Sequence, residues 1–213
     1  MALLVIDTTG SDCSVALRVT GQADLCRSDA IGRGHAEHLA PMVAGMLEQA
    51  GLHPSQISRI GVTTGPGSFA GSRVGVAFAR GLALASGAEA VGIGNLAVLA
   101  QGAAVSGPLA VLHDAKRGDI VLQVWDGGTA DAPELLTLDA VAGRILQLAG
   151  SCGHLAGSGA SLVELDGFAD LAMTAISLPA LLDLAEGVDA ASAPPVPFYA
   201  RPPDAKLPGG VQP

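Results

Sequence analysis

From residue 60 to residue 85 a short β-rich run, 60–64, enters the turn Gly65-Pro66-Gly67-Ser68-Phe69-Ala70-Gly71. It leaves that turn in a helical pattern with Val74, Ala77, Phe78, Gly81, Leu82 and Ala85 on one face. Strand, tight turn and helix form the unit from which layered α/β folds are assembled. The turn fits neither common nucleotide motif: no lysine follows it as Gly-x-x-x-x-Gly-Lys-Ser requires, and its glycines are spaced Gly65-x-Gly67-x-x-x-Gly71 instead of Gly-x-Gly-x-x-Gly. Pro66 sets a sharp exit from the strand, and Ser68 with the amides before Ser72 and Arg73 stands where an anion meets a helix start. A loop needed only for tight packing reads the same way.

The flanking pattern completes a lobe. Runs at 3–7, 13–19 and, more weakly, 22–27 predict an antiparallel meander with turns at Gly10 and Gly21. From His35 the period changes, with Leu39, Met42, Val43, Met46, Leu47 and Ala50 on one helical face and Gly51 as a stop; Pro41 is expected in or near the first turn. A strand at 89–93 follows, then a helix capped by Asn95 and running to Gln101. After Ser106-Gly107-Pro108 the pattern restarts: Leu109-Ala110-Val111-Leu112-His113-Asp114 echoes Leu3-Leu4-Val5-Ile6-Asp7, a second strand spans 120–125, and helices fall near 138–148 and 178–186. The expected organisation is a lobe at 1–106, a smaller duplicate at 107–191, and a proline-rich tail at 192–213.

Composition limits the partners and the setting. The 49% hydrophobic content comes mainly from small side chains with few aromatics, which favours closely packed layers of helices and strands. A net charge of −9 repels phosphate backbones, and the eleven lysines and arginines form no stripe, so autonomous nucleic-acid binding is not expected. Cys13, Cys26 and Cys152 are odd in number and far apart, without a Cys-x-x-Cys pair, as suits a reducing compartment. The first residues run straight into a strand without a signal-peptide pattern, and the most apolar stretch, 81–100, is interrupted by Glu89, Asn95 and glycines. The expectation is a cytoplasmic chain with no membrane span.

Three groups of residues bear on chemistry. Asp7-Thr8-Thr9-Gly10-Ser11 between two strands has the form of a phosphate-binding hairpin, in which amides and hydroxyls face phosphate oxygens and the carboxylate holds magnesium through water. Asp7, Thr8, Thr9 and Ser11 are therefore nucleotide-site candidates, although an Asp-Thr turn closing an ordinary hairpin looks alike. His35 and His38 share a helical face beside Glu37, but no third ligand is in motif reach and His-Glu-x-x-His is absent, so no metal is expected. No Gly-x-Ser-x-Gly elbow is present. Asp114-Ala115-Lys116-Arg117-Gly118-Asp119 occupies the place of a second phosphate hairpin, but its concentrated charge reads more readily as a solvated turn than as a ligand site.

The block Gly65-Pro66-Gly67-Ser68-Phe69-Ala70-Gly71-Ser72-Arg73-Val74-Gly75-Val76, ending Ala79-Arg80-Gly81-Leu82-Ala83, closely resembles the signature of the bacterial TsaB (YeaZ-type) family. Ile6-Asp7-Thr8-Thr9, His35-Ala36-Glu37-His38-Leu39-Ala40-Pro41-Met42, Asp114-Ala115-Lys116-Arg117 and Pro197-Phe198-Tyr199-Ala200-Arg201 resemble that family's opening turn, first helix, second-lobe turn and terminal strand. Ala70 and Ser72 depart from a usual threonine and a usual aliphatic residue. The resemblance implies an α/β fold of duplicated actin-like (ASKHA, ribonuclease H-like) lobes, the second reduced. It also implies a non-catalytic subunit that supports TsaD, the paralogue that transfers threonylcarbamoyl to N6 of the tRNA adenosine beside the anticodon, together with the small ATPase TsaE. TsaD carries a His-x-x-x-His metal pair where this chain has His35 and His38 three apart, a departure that argues against catalysis.

From the same resemblance, the helices at 35–50 and 69–86 would dock TsaD, or a second copy when the chain is alone. His38, Met42, Met46, Gly71, Arg73, Gly75 and Ala79 are the interface candidates, with Gly71, Gly75 and Ala79 forming a groove open to a partner helix; the glycines could instead bring the helix close to its own sheet. No catalytic residue and no required cofactor is assigned, and ATP or ADP with magnesium is allowed for in the complex. A small-metabolite kinase and a glycoprotease-like metallopeptidase are the competing readings, the first needing two complete phosphate turns and the second a metal site.

Overall fold

The computed structural model describes residues 1–201; the end of the expected tail, 202–213, lies outside the described residues. The first sheet contains β1 (Ala2–Asp7), β2 (Asp12–Val19), β3 (Leu25–Ala30), β4 (Arg59–Gly65) and β5 (Glu89–Gly94), in the order β3-β2-β1-β4-β5. The meander β1-β2-β3 is antiparallel, while β4 and β5 add in parallel through the crossover helices α1 (His35–Gln49) and α2 (Phe69–Ser86). β3 begins later than the expected 22–27, because Gln22 closes a turn onto Val19 with Gly21 at positive φ and pairing resumes only at Leu25. Pro41 sits in the second turn of α1, past the expected first turn, on its exposed side.

β1 reads as an unbroken apolar run because both faces of the sheet are covered. On one face Leu4, Ile6, Val15 and Leu17 pack with Leu39, Met42, Val43, Met46 and Leu47 of α1 and Val76 and Ala79 of α2. On the other, Leu3, Val5, Ala16, Val91 and Ile93 meet α5 (Leu178–Gly187) through Ala180, Leu181, Leu182 and Ala185.

The second sheet repeats the first. Its strands are β6 (Leu109–Lys116), β7 (Asp119–Asp126), β8 (Thr129–Ala130), β9 (Glu134–Thr137), β10 (Gly153–Ala156) and β11 (Phe168–Asp170). The path β9-β7-β6-β10-β11 has the same sequence of antiparallel and parallel pairings as β3-β2-β1-β4-β5. α4 (Leu138–Ala149) takes the place of α1, but between β10 and β11 only a 3-10 turn, Ala160–Leu162, stands where the first lobe has α2. The result is the duplicated actin-like architecture with a reduced second lobe.

The lobes exchange helices. α3 (Asn95–Ala103) packs Leu96 and Leu99 among Leu109, Val111 and Val121 of the second sheet, while its Val98 faces the first. α5 crosses back onto β1, β2 and β4, so the expected boundary that assigned residues up to 191 to the second lobe is corrected: α5 belongs to the first sheet's core. Beyond α5 the chain returns along the ends of β4 and β5, with Gly92 N donating to Ala193 O and Phe198 N to Thr64 O, and reaches the second lobe through Arg201, which pairs with Asp119. Residues 197–201 form no strand, contrary to the resemblance-based expectation, since this single backbone bond to β4 does not extend into a ladder.

The inward face of α2 also differs from the expected one. Gly71, Ser72, Gly75, Val76, Ala79 and Ala83 are buried, whereas Val74, Phe78 and Leu82 are half-buried at the flank toward α1, and Ala77, Gly81 and Ala85 are exposed. A Cβ on Gly75 would lie 2.5 Å from Thr8 Oγ1 and 3.3 Å from Val62 Cγ2, and one on Gly71 would collide with Thr8 O. The glycines set how closely the helix approaches its own sheet, which large side chains would prevent.

Candidate functional site

The turn from β1 to β2 is fixed by a buried polar network. Asp7, only 5% exposed, accepts on Oδ1 from Thr9 N at 3.0 Å, Thr9 Oγ1 at 2.6 Å and Thr63 Oγ1 at 2.6 Å. Asn95 Nδ2 donates to Thr9 Oγ1 at 2.6 Å, and Asn95 Oδ1 accepts from Gly65 N at 2.9 Å. Ser68 N donates to Thr9 O at 2.7 Å, while Thr8 Oγ1 donates to Gly71 O at 2.7 Å. The network joins the first hairpin to the glycine-rich turn, whose Gly65-Pro66 bond is cis, and to the start of α3. No hydrogen bond reaches Asp7 Oδ2 among the described residues, and Asp7 lines an interlobe cavity of about 380 Å³ with Thr9, Ser11, Asn95, His113 and Ser158. That volume falls in the range of small-ligand sites.

Across this cavity the second hairpin carries the equivalent carboxylate, Asp114, but both of its oxygens are engaged. Lys116 N donates to Oδ1 at 2.8 Å and Lys116 Nζ to Oδ2 at 2.6 Å. The Lys116 ammonium, hydrogen-bonded to Asp114, holds its carboxyl below the usual range. Ser158 Oγ accepts from Asp114 N at 3.0 Å and lies 3.4 Å from His113 Nδ1. Burial pushes the His113 imidazole below its ordinary value of 6.5, favouring the neutral ring at neutral pH. One lobe therefore offers a carboxylate oxygen without a hydrogen bond among the described residues, and in the other both carboxylate oxygens are bonded by Lys116.

Asp7, Thr8, Thr9 and Ser11 are brought together at the first turn, but unequally. Asp7, Thr9 and the exposed Ser11, which is bonded to Asp12, line the cavity, while Thr8 is fully buried and bonded to α2. The interface candidates separate. His38 and Arg73 are exposed, whereas Met42, Met46, Gly71, Gly75 and Ala79 are buried within the chain itself. Those five are corrected as surface candidates: the two methionines fill the core between α1 and the first sheet, and the small residues of α2 rest on Thr8, Val62 and Ile6. What the two helices expose is Ala40, Ala44 and Glu48 on α1 and Ala77, Arg80 and Leu84 on α2, with Leu84 88% exposed.

His35 Nε2 lies 3.2 Å from Asp12 O, and among the described residues no cluster of three or more His, Cys, Asp or Glu is placed to hold a metal ion. Sequence reasoning missed Thr63 and misassigned Asn95, which is the first residue of α3 and not its cap; its side chain bonds the two turns instead. Asn95 directly after a strand and before a helix was the available signal, and it fits either role. No helix among the described residues is long and apolar enough to cross a membrane.

The family model described as "TsaD: tRNA N6-adenosine threonylcarbamoyltransferase" matches residues 29–156. The tRNA threonylcarbamoyladenosine biosynthesis protein TsaB of Escherichia coli K12 is 33% identical over 165 residues, covering 70% of this chain and 68% of that protein. The crystal structure of a Pseudomonas aeruginosa protein described as similar to peptidase YEAZ superimposes with a TM-score of 0.77 at 29% identity, covering 94% of this chain and 99% of that one. The structure of YeaZ from Pseudomonas aeruginosa gives a TM-score of 0.75 at 27% identity, covering 93% and 99%.

Proposed function

The chain belongs to the bacterial TsaB (YeaZ-type) family, and from that premise we propose that it is a non-catalytic assembly subunit which supports TsaD in transferring threonylcarbamoyl to N6 of the tRNA adenosine next to the anticodon. The observation that carries the non-catalytic part is the second hairpin, where Lys116 occupies both oxygens of Asp114. Phosphoryl transfer draws on metal ions and donors converging on the phosphates from their surroundings. Here the exposed Lys116 ammonium, paired with Asp114, already neutralises the carboxylate that a cation would need. The residues fit ATP or ADP with magnesium in part: Asp7 Oδ2 and the turn at 8–11 suit a hydrated cation and a phosphate, and the second lobe adds nothing comparable. Bound nucleotide is accordingly assigned to the assembled complex and is not required by the chain alone. This disfavours the kinase reading.

TsaD is proposed to dock on the outer faces of α1 and α2, and a second copy to occupy the same surface when TsaD is absent; TsaE joins the assembled pair. Support comes from the small side chains of Ala40, Ala44 and Ala77, which let another helix approach, and from Leu84, the most exposed large apolar residue described. The work is assigned to the cytoplasm, with the folded tRNA as a whole held by the partners and not autonomously by this acidic chain. The test reconstitutes tRNA modification from TsaD, TsaE and this chain. Activity should need all three, and Leu84→Glu, on an exposed site that leaves the fold intact, should weaken association with TsaD and with itself by at least about tenfold. Turnover by the isolated chain, or association unchanged in both assays, would defeat the reading.

A further inference from the structure

Beside the interlobe cavity, on the other side of Thr9, Pro66 and Gly67, lies a second cavity of about 740 Å³ between the start of α2, the second hairpin and the returning C-terminal segment. Its chemistry is unlike the rest of the molecule. Phe69, Phe198 and Tyr199 line it, half of the six aromatic residues in the chain, and all three are more than a third exposed. In a protein of net charge −9, Lys116, Arg117 and Arg201 line the same space.

Phe69 and Tyr199 have ring centroids 5.2 Å apart, and the Arg73 guanidinium lies 3.8 Å from the Phe69 centroid and donates to the Tyr199 hydroxyl at 2.8 Å. Exposed rings held in place by a stacked cation form a platform for a flat ligand. Arg73 has no carboxylate partner among the described residues, and Lys116, bonded to Asp114, still keeps 80% of its side chain in solvent. Arg201 is held by Asp119 and fixes the wall. We propose that this cavity binds a nucleotide, its base stacking against Phe69 and Tyr199, which Arg73 holds in place, and its phosphate met by Lys116. Aromatic faces beside cations accept any base and any phosphate, so either a free mononucleotide or one nucleotide of a single-stranded RNA satisfies the same groups. The assignment rests on this cavity and not on assembly with TsaD.

Tyr199 is the chain's single tyrosine and Trp125 its single tryptophan, so isotope-labelled ring resonances report the site and a control position without overlap. AMP and a single-stranded tetra-adenylate are titrated separately into the full-length chain. The expected result is a saturable ring-current shift at Tyr199 with Trp125 unmoved. Saturation by AMP identifies free nucleotide, and saturation by the tetranucleotide alone identifies an RNA segment. Phe69→Ala, at an exposed site whose loss the fold tolerates, should weaken binding by about fivefold or more. Absence of a Tyr199 shift with both probes, or affinity unchanged in Phe69→Ala, overturns the proposal while leaving association with TsaD as a separate question.

Discussion

Replacing Gly75 with alanine tests the packing on which the first lobe depends. The added methyl would meet Thr8 Oγ1 at 2.5 Å and Val62 Cγ2 at 3.3 Å. Thr8 is fully buried and cannot swing aside without surrendering its 2.7 Å bond to Gly71 O. Overpacking costs about 1–3 kcal/mol and the displaced hydroxyl about 1–2 more, against a gain of about 1 kcal/mol in helix propensity, for a net loss of roughly 1–4 kcal/mol. Gly81, two turns later in the same helix, is exposed and has nothing within 4 Å of its missing Cβ. Gly81→Ala should therefore stabilise by about 1 kcal/mol. Urea unfolding at two protein concentrations separates folding from self-association and should place the two variants roughly 2–5 kcal/mol apart. Adding Thr8→Ala to Gly75→Ala should recover part of the loss, a coupling expected only of residues in contact. If both glycine variants were equally stabilised, α2 would not rest on Thr8 and the account of the glycine stripe would be wrong.

Asn95→Ala removes the acceptor for Gly65 N, leaving that buried amide unsatisfied, and takes one of two hydrogen bonds from Thr9 Oγ1, which keeps its bond to Asp7; it should lower stability by about 1–3 kcal/mol; faster hydrogen exchange at the Gly65 amide is the local check, and an unchanged rate would show that the two turns are not tied by this side chain. Arg18 on β2 meets Asp24, and also Asp183 and Glu186 of α5, and the guanidinium hydrogen-bonded to Asp24 holds that carboxyl below its ordinary value of 3.8. A depressed carboxyl contributes stability that is complete above its unfolded value and is lost as pH falls through the lower folded value. The difference in unfolding midpoint between the wild type and Arg18→Met should thus hold steady from about pH 7 to about pH 5 and shrink below about pH 4; a difference that persists unchanged in strong acid would contradict the assignment.

The parts legible in the sequence are those that local periodicity determines. Leu3-Leu4-Val5-Ile6-Asp7 and its echo at 109–114 became β1 and β6, the central strands of two sheets with matching strand order, because a run buried on both faces has no polar alternation to obscure it. The path of α5 was not legible, since its apolar face fits any sheet and only the exchange of helices between lobes assigns it to the first. Hydropathy misled on α2, where Val74, Phe78 and Leu82 outweigh glycines that are nonetheless the inward residues. The distance from helix to sheet is a tertiary quantity, and glycine carries no side-chain signal of it.

The candidate site shows the same division within one pair of residues. Asp7 ends β1 and Asp114 lies two residues before the end of the equivalent strand β6, and from sequence either turn can be a phosphate hairpin or an ordinary turn. Their neighbours decide the outcome. After Asp7 comes Thr9, whose amide and hydroxyl, with the Thr63 hydroxyl, bond Oδ1 and leave Oδ2 without a hydrogen bond among the described residues. After Asp114 the chain turns through Lys116 and Arg117 at φ 65° and 58°, which lets Lys116 bring both its amide and its ammonium onto the one carboxylate. The lysine is visible in the sequence, but its direction follows from a left-handed backbone that non-glycine residues seldom adopt. The duplication thus retains the same carboxylate twice, and the conformation of a single turn leaves one open to a ligand and closes the other with the chain's own cation.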